Sequence, residues 1–164
     1  MDIYSVRIAD WHDQGGALRA VREAVFIREQ GVPVELEWDE FDADCIHLIA
    51  VDAAENAIGT ARLLQQGENG GIGRMAVLKE WRGKGVGSTL MRRLLEEAIK
   101  WQIQQVVLNA QAYATGFYAR FGFTAMGNQF LEAGIPHVKM ALRLAGSLAD
   151  PFNNGTSGGD SNGS

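Results

Sequence analysis

The stretch Arg82-Gly83-Lys84-Gly85-Val86-Gly87-Ser88 joins an apolar, strand-like segment to a strongly amphipathic one. Its three glycines within five residues let the backbone approach a ligand without obstruction by side chains. The first N–H groups of the helix that follows lack intrahelical acceptors, and the helix dipole favours an anion beside them. Arg82 and Lys84 add positive charge. The stretch therefore predicts a pyrophosphate-binding loop.

Two other phosphate-binding loops fit this stretch poorly. A Walker A loop requires Lys followed by Ser or Thr after its last glycine, whereas Val86-Gly87-Ser88 follows Gly85. A dinucleotide fingerprint requires the first strand of a domain and an acidic residue about twenty positions further on. Here the spacing is Gly83-x-Gly85-x-Gly87, in the middle of the chain. Neither alternative explains the pattern.

The segments around the loop predict one mixed α/β domain in the order β-α-β-β-β-α-β-α-β-β. Strands are predicted at 3–8, 45–51, 58–64, 72–77, 105–110, 123–126 and 137–144, and helices at 17–29, 86–101 and 113–121. The helix after the loop is the clearest element, because apolar residues occupy one stripe and Arg–Glu pairs at i,i+4 occupy the other side. Residues 1–145 are predicted to form a single domain and the Gly/Ser/Asn-rich residues 146–164 a flexible tail.

Composition excludes several classes of protein. A net charge of -5 argues against nucleic-acid binding, which requires basic surfaces. The sequence contains no apolar run long enough to span a bilayer, and its start does not resemble a secretory signal. Its one cysteine, Cys45, cannot form an intrachain disulfide. We therefore expect a cytoplasmic protein with no membrane partner.

A second segment of the sequence narrows the class of protein to which this loop belongs. Residues Gln111-Ala112-Tyr113-Ala114-Thr115-Gly116-Phe117-Tyr118-Ala119-Arg120-Phe121-Gly122-Phe123 resemble the Asn-x-x-Ala-x-x-x-Tyr-x-x-x-Gly-Phe segment of the GNAT acetyltransferases. The loop resembles that family's Arg/Gln-x-x-Gly-x-Gly/Ala loop, and the two matches have the family's order and spacing. The resemblance covers most of residues 3–144. It extends to the ElaA-like branch through Val25-Phe26-Ile27-Arg28-Glu29-Gln30 with Pro33, the pair Asp39/Asp42 before Cys45-Ile46-His47, and Ala133-Gly134-Ile135-Pro136-His137.

The resemblance implies the GNAT fold, an α/β (α+β) architecture with a central, mixed, mostly antiparallel sheet flanked by helices on both faces. It implies acetyl-CoA as co-substrate. The implied coenzyme contacts are Met75, Ala76 and Val77 along the pantetheine arm, Arg82, Gly83, Lys84, Gly85, Val86, Gly87 and Ser88 at the pyrophosphate, and Gln111, where many relatives have asparagine. Relatives often pair through late strands, which suggests a homodimer.

Tyr118 matches the family tyrosine that protonates the departing coenzyme thiolate or hydrogen-bonds its sulfur. A phenol, with an ordinary pKa near 10, suits this task. The alternative is a core aromatic whose hydroxyl has a structural partner.

The general base is not identified by the sequence. An ammonium acceptor must lose a proton before it attacks a thioester. The candidates are His47, His137, Glu29 and Glu132. A histidine in an apolar strand is often structural, and two histidines without a third ligand at a recognisable spacing do not predict a metal site.

The side of the site that binds the acceptor is also open. Arg28 and Arg74 are candidate substrate-binding residues, and Arg22 raises the same question; each could instead pair with acidic groups of the protein. Six of the twenty acidic residues lie within 35–44. That run either steers a cationic amine or is a solvated loop anchored by Leu36, Trp38 and Phe41.

We expect direct acetyl transfer in a ternary complex to a primary amine of a small molecule. The alternative is a protein that is not an enzyme: a coenzyme-binding sensor or interaction module without turnover. A third interpretation takes the loop as a general nucleotide site.

Overall fold

The computed structural model of the chain describes residues 3–144, so the predicted tail at 146–164 lies outside the described residues. The strands are β1 Tyr4–Ala9, β2 Ile46–Asp52, β3 Ala57–Gln66, β4 Asn69–Val77, β5 Gln105–Gln111, β6 Thr124–Glu132 and β7 Ile135–Arg143. The α-helices are α1 Trp11–Arg22, α2 Val34–Glu37, α3 Val86–Lys100 and α4 Thr115–Ala119. A π-helix covers Glu23–Glu29, and 3-10 turns cover Asp42–Asp44, Lys79–Trp81 and Ala112–Ala114.

The seven strands form one mixed sheet in the order β1-β2-β3-β4-β5-β7-β6. β1 with β2, β2 with β3, and β5 with β7 are antiparallel, whereas β4 and β5 are parallel over Asn69–Gly71. Helices flank the sheet. The fold class and the order of the principal elements expected from the sequence are therefore confirmed.

The described residues form two compact units. Unit 1 comprises residues 3–64, 72–96 and 131–135, and unit 2 comprises residues 65–71, 97–130 and 136–144. The core of unit 1 includes Leu18, Val21, Val25, Leu48, Ile49, Leu63, Val86, Leu90, Met91 and Leu94. Unit 2 buries Ala98, Ile103, Val106, Leu108, Ala110, Phe123 and Met140. The single-domain organisation stays a prediction.

The first helix begins six residues earlier than predicted. Asp10 caps it, because its carboxylate accepts the His12 N–H at 2.8 Å. The helix continues through Gly15 and Gly16, and Gly15 is buried against the Trp11 ring. After Arg22 the helix widens into the π-helix, in which the Gln30 N–H donates to the Val25 carbonyl at 3.0 Å. The predicted end at Glu29 is correct.

Other element boundaries also differ from those predicted, most by one or two residues. β4 begins at Asn69, three residues earlier than predicted, because only Gly67 among residues 67–71 has a left-handed φ, at 66°. β6 continues to Glu132, six residues beyond its predicted end. Its sequence does not alternate apolar and polar residues, so no pattern predicted this extension. The helix predicted at 113–121 is a 3-10 turn followed by α4, and Gly122 after it has φ 99°, as expected of a left-handed cap.

Gly59 in β3 sets the distance at which α3 packs on the sheet. A β-carbon at this position would lie 3.2 Å from Val86 Cγ1 and 3.2 Å from Leu90 Cδ1. We expect Gly59→Val to lower the free energy of unfolding by about 1–3 kcal/mol through overpacking. Gly16→Ala is the control, since an added β-carbon in α1 meets nothing within 4 Å, and it should stabilise by roughly 0.5–1 kcal/mol. Urea unfolding measures both, and equal stability of Gly59→Val and the wild type would contradict the close packing.

Candidate active site

The glycine loop has the geometry of an anion-binding helix start. Gly83 and Gly85 have φ of 77° and 87°, in the left-handed region that glycine adopts without steric cost. The Gly85 carbonyl accepts the Thr89 N–H at 3.0 Å, so Gly85 caps α3. Val86, Gly87 and Ser88 then form the first turn, whose N–H groups have no acceptor within the helix. Such a terminus can hold a pyrophosphate.

A residue of β1 supports the loop through hydrogen bonds, a contact that the sequence did not indicate. The Thr89 hydroxyl donates to the Gly85 carbonyl at 3.0 Å, and the Tyr4 hydroxyl lies 2.8 Å from Thr89 Oγ1. Because the Thr89 proton is used towards Gly85, Tyr4 donates to Thr89. The Tyr4 ring also meets Trp81 edge-on, with centroids 6.2 Å apart. Tyr4 lies 85 residues from Thr89 in sequence, so no local pattern links them.

Arg82 is held by acceptors of the protein itself. Its Nη1 and Nη2 each donate to one oxygen of Glu29 at 2.6 Å, and its Nε donates to the Val77 carbonyl at 3.0 Å. The hydrogen bonds from Arg82, together with its charge, hold the pKa of Glu29 below its usual value. A carboxylate with a lowered pKa is a weaker base, so this geometry argues against Glu29 as the general base.

His47 is enclosed in unit 1. Its side chain lies in β2 with the residue 2% exposed, and its Nε2 donates to the Asp42 carbonyl at 2.7 Å. The ring stacks on Trp11 with centroids 4.8 Å apart. Burial lowers the pKa of His47 and keeps the ring neutral. The structural interpretation therefore explains His47 better than a catalytic one.

Unit 2 brings two of the predicted residues together. The β5–β7 register places Gln111 opposite His137. Directly opposed residues of antiparallel strands project to the same face of a sheet, so the two side chains are neighbours. His137 is 6% exposed and stacks on Phe130 at a centroid distance of 6.0 Å. Glu132, the remaining candidate base, is exposed at the end of β6.

Tyr118 lies in α4 within an aromatic cluster of unit 2. Its ring meets Phe117 and Phe123 edge-on, at centroid distances of 5.0 Å and 6.1 Å. Burial raises the pKa of Tyr118 to about 12. The phenol is therefore protonated at neutral pH and is a hydrogen-bond donor, while the ring contributes to packing.

The acidic run contains an internal ion-pair network, which we call the arginine–carboxylate network: Arg22, Arg62 and Arg74 with Glu37, Asp39 and Asp42. The contacts are Arg22–Glu37 at 2.8 Å, Arg22–Asp42 at 2.9 Å, Arg62–Asp39 at 2.8 Å, Arg62–Asp42 at 2.8 Å, Arg74–Glu37 at 3.1 Å and Arg74–Asp39 at 3.1 Å. Arg22, Glu37 and Asp42 are 1%, 3% and 4% exposed. Three positive charges match three negative ones.

This network corrects the interpretation of the acidic run as a solvated loop. Its supposed anchors Leu36 and Phe41 are 56% and 40% exposed, whereas the acids at 37 and 42 point inward. Trp38 does pack, with its ring 5.0 Å from the Arg22 guanidinium. The hypothesis that the acidic run steers a cationic amine is also weakened, because arginines neutralise three of its six acidic residues.

Burial and pairing act against each other at these carboxyls. Hydrogen bonds from Arg62 lower the pKa of Asp39 to about 2. At Asp42 burial favours the neutral acid, but the hydrogen bonds and charges of Arg22 and Arg62 outweigh it and lower the pKa. At Glu37 burial is the larger effect and raises the pKa despite the nearby Arg74 and Arg22.

Arg74 and Arg28 differ in their surroundings. The Arg74 guanidinium binds acids of the network, which is the pairing alternative raised by the sequence. Its backbone has φ 49°, a conformation uncommon for a side-chain-bearing residue, and its carbonyl accepts the Thr60 hydroxyl at 2.9 Å. Arg28 is exposed on the π-helix.

Other candidate chemistries find little support. Burial raises the pKa of Cys45 to about 11, which keeps its thiol protonated and unreactive. Among residues 3–144, no three His, Cys, Asp or Glu side chains are grouped so that they could hold a metal ion. In the same part of the chain no helix is long and apolar enough to cross a membrane.

Comparison with known proteins places this chain among acetyltransferases. The family model described as an acetyltransferase (GNAT) domain matches residues 16–144. The chain is 38% identical over 121 residues to the uncharacterized N-acetyltransferase YjcF of Bacillus subtilis, covering 73% of this chain and 86% of YjcF. It is 35% identical over 133 residues to protein ElaA of Escherichia coli, covering 78% of this chain and 86% of ElaA.

Solved structures agree. An acyl-CoA N-acyltransferase from Pseudomonas aeruginosa is similar with a TM-score of 0.75 and 33% identity, covering 86% of this chain and 99% of that one. Escherichia coli ElaA is similar with a TM-score of 0.71 and 30% identity, with the same coverage. The chain therefore belongs to the GNAT acetyltransferase family, in its ElaA-like branch, and is an acyl-CoA-dependent acyltransferase.

Proposed function

We propose that the protein transfers an acetyl group from acetyl-CoA to a primary amine of a small molecule, by direct attack in a ternary complex. The observation that carries this proposal is the loop, where Gly83 and Gly85 at positive φ lead into the capped start of α3. The first-turn N–H groups, with exposed Lys84 nearby, suit the pyrophosphate of a coenzyme. The strand Met75–Val77 supplies backbone groups for the pantetheine arm.

The chemistry requires three roles. The amine attacks the thioester carbonyl, and a backbone N–H of the strand at Met75–Val77 stabilises the oxyanion of the tetrahedral intermediate. The C–S bond then breaks, the carbonyl re-forms, and Tyr118 donates a hydrogen bond or its proton to the departing thiolate. The proton of the ammonium passes to a base. The proposed base is His137, because the β5–β7 register places it beside Gln111, a proposed coenzyme contact, and the exposed Glu132 is its alternative.

Two arginines are candidates for binding the acceptor. Arg28 is exposed and suits an acceptor that carries a carboxylate as well as an amine. Arg74 is a weaker candidate for that contact, because Glu37 and Asp39 already bind its guanidinium. A cytoplasmic location, a homodimer and the absence of nucleic-acid and membrane partners complete the proposal.

Coenzyme binding is the first test. We expect acetyl-CoA to bind in isothermal titration, while ATP and NAD bind far more weakly. Gly85→Val should raise the Kd for acetyl-CoA at least roughly tenfold, because φ 87° is unfavourable for a β-branched residue and the loop must shift. Gly16→Ala is the matched glycine control and should bind as the wild type does. A preference for ATP or NAD would overturn the assignment of the loop to a coenzyme.

Turnover separates the enzyme from the alternative. Thiol release from acetyl-CoA across a panel of amino acids, polyamines and other small amines should show at least one acceptor. Tight acetyl-CoA binding with no release on any amine of the panel would instead support a coenzyme-binding sensor.

A further inference from the structure

The contact between Glu29 and Arg82 joins the end of the π-helix to the start of the coenzyme loop. The two ends of the Arg82 guanidinium each bind one Glu29 oxygen at 2.6 Å. The side chains are 38% and 41% exposed, so water reaches the pair. This bidentate arrangement fixes the plane of the guanidinium as well as neutralising its charge.

The same guanidinium closes the turn that precedes the loop. Its Nε donates to the Val77 carbonyl at 3.0 Å, at the last residue of β4. The 3-10 turn Lys79–Trp81 lies between Val77 and Arg82. Within that turn the Trp81 N–H donates to the Leu78 carbonyl at 2.8 Å. Arg82 therefore links the residue before the turn, Val77, to the residue after it. Glu29 in turn holds the Arg82 guanidinium in place.

The backbone of the π-helix brings Glu29 to this position. Gln30 donates to Val25 at 3.0 Å and Val32 donates to Phe26 at 2.8 Å, so the helix closes with wider turns than an α-helix. Wider turns are uncommon and are often found at functional sites. The segment ends with the Glu29 carboxylate directed at Arg82.

We infer that Glu29 and Arg82 form a brace that positions the coenzyme loop, and that Arg82 contributes to binding through this geometry and not as a phosphate ligand. This inference rests on the proposed function, because the loop it positions is the proposed pyrophosphate site. It assigns Glu29 the part of a positioning residue and leaves the charge contact with the phosphates to Lys84 and the helix start.

The alternative roles of Arg82 and Glu29 predict different changes in the Kd for acetyl-CoA when Glu29 is replaced by glutamine. If Arg82 were a phosphate ligand restrained by a competing carboxylate, Glu29→Gln would free its charge and tighten acetyl-CoA binding. If Glu29 were the general base, Glu29→Gln would leave the Kd unchanged and lower kcat, most strongly at low pH. The brace requires weaker binding, since the loop loses its fixed conformation.

The experiment is a double-mutant cycle with Glu29→Gln, Arg82→Gln and the double variant, read as the Kd for acetyl-CoA by isothermal titration. We expect each single variant to bind about three- to tenfold more weakly, and the double variant no more weakly than the weaker single one. Arg82→Lys should match Arg82→Gln, because a lysine keeps the charge but not the fork. Glu23→Gln, an exposed acid at the start of the same π-helix, is the charge-matched control and should bind as the wild type does.

The outcomes separate the two proposals. No acetyl-CoA binding by the wild type would overturn the proposed function and this inference with it. Binding by the wild type together with an unchanged or lower Kd for Glu29→Gln would overturn the brace alone. Full binding by Arg82→Lys would show that charge, not geometry, is what Arg82 supplies. Thermal unfolding of each variant distinguishes a local change at the loop from a loss of folding.

Discussion

Asp42→Ala is expected to lower the free energy of unfolding by about 3–5 kcal/mol, because it removes one partner from a buried ion-pair network. One oxygen of Asp42 accepts hydrogen bonds from Arg22 Nη1 at 2.9 Å and from Arg62 Nη1 at 2.8 Å. Arg22 is 1% exposed, so its guanidinium cannot reach water to replace the lost carboxylate. The three arginines of the network then share its two remaining acids.

Urea unfolding followed by circular dichroism measures this effect. Asp44→Ala is the matched control, since Asp44 is an exposed acid two residues further along the same 3-10 turn, and it should change stability by less than about 0.5 kcal/mol. Asp42→Asn keeps the shape and the acceptor oxygen but not the charge, and should fall between the control and alanine. A loss below about 1 kcal/mol for Asp42→Ala would contradict the view that the network holds this segment.

The sequence contained a signal for the network, but it was spread over several elements. Arg22 occupies the apolar face of the first helix, four residues after Leu18 and three before Val25. Arg62 and Arg74 lie in apolar strands. Buried guanidinium groups require buried carboxylates. The local pattern of 35–44 shows only acids, because their partners lie 15 to 37 residues away, and so it left open a run that steers a cationic amine or a solvated loop, but did not predict a buried network.

The backbone conformations of the glycine loop and of the Tyr118 segment could be predicted from the sequence for the opposite reason. Their distinguishing residues are contiguous, and the backbone conformations of Gly83, Gly85 and Gly122 are properties of single positions. The general base was not accessible in this way. The chemical type of a side chain does not say what it touches, and only the structure shows that His47 donates to a carbonyl and that Glu29 binds Arg82.

Tyr118→Phe is expected to lower kcat by about 100-fold, with the Kd for acetyl-CoA within about twofold of the wild type. Its pKa of about 12 lies above that of a thiol, ~8.5, so complete transfer of its proton to a fully solvated thiolate is unfavourable. In the proposed mechanism the hydroxyl is therefore mainly a hydrogen-bond donor to the charge that develops on sulfur. Loss of one donor of this kind costs about 100- to 1000-fold in kcat, and a diffuse thiolate charge places the effect at the lower end.

Thiol release with an acceptor found in the amine panel gives kcat, and isothermal titration gives the Kd. Tyr113→Phe is the matched control, because Tyr113 lies five residues earlier and is 80% exposed, and its kcat should not change. The ring of Tyr118 is retained in the phenylalanine variant, so its edge-on contacts with Phe117 and Phe123 persist and the fold is preserved. If Tyr118→Phe keeps the kcat of the wild type, Tyr118 is a packing residue and the thiolate takes its proton from another donor or from water.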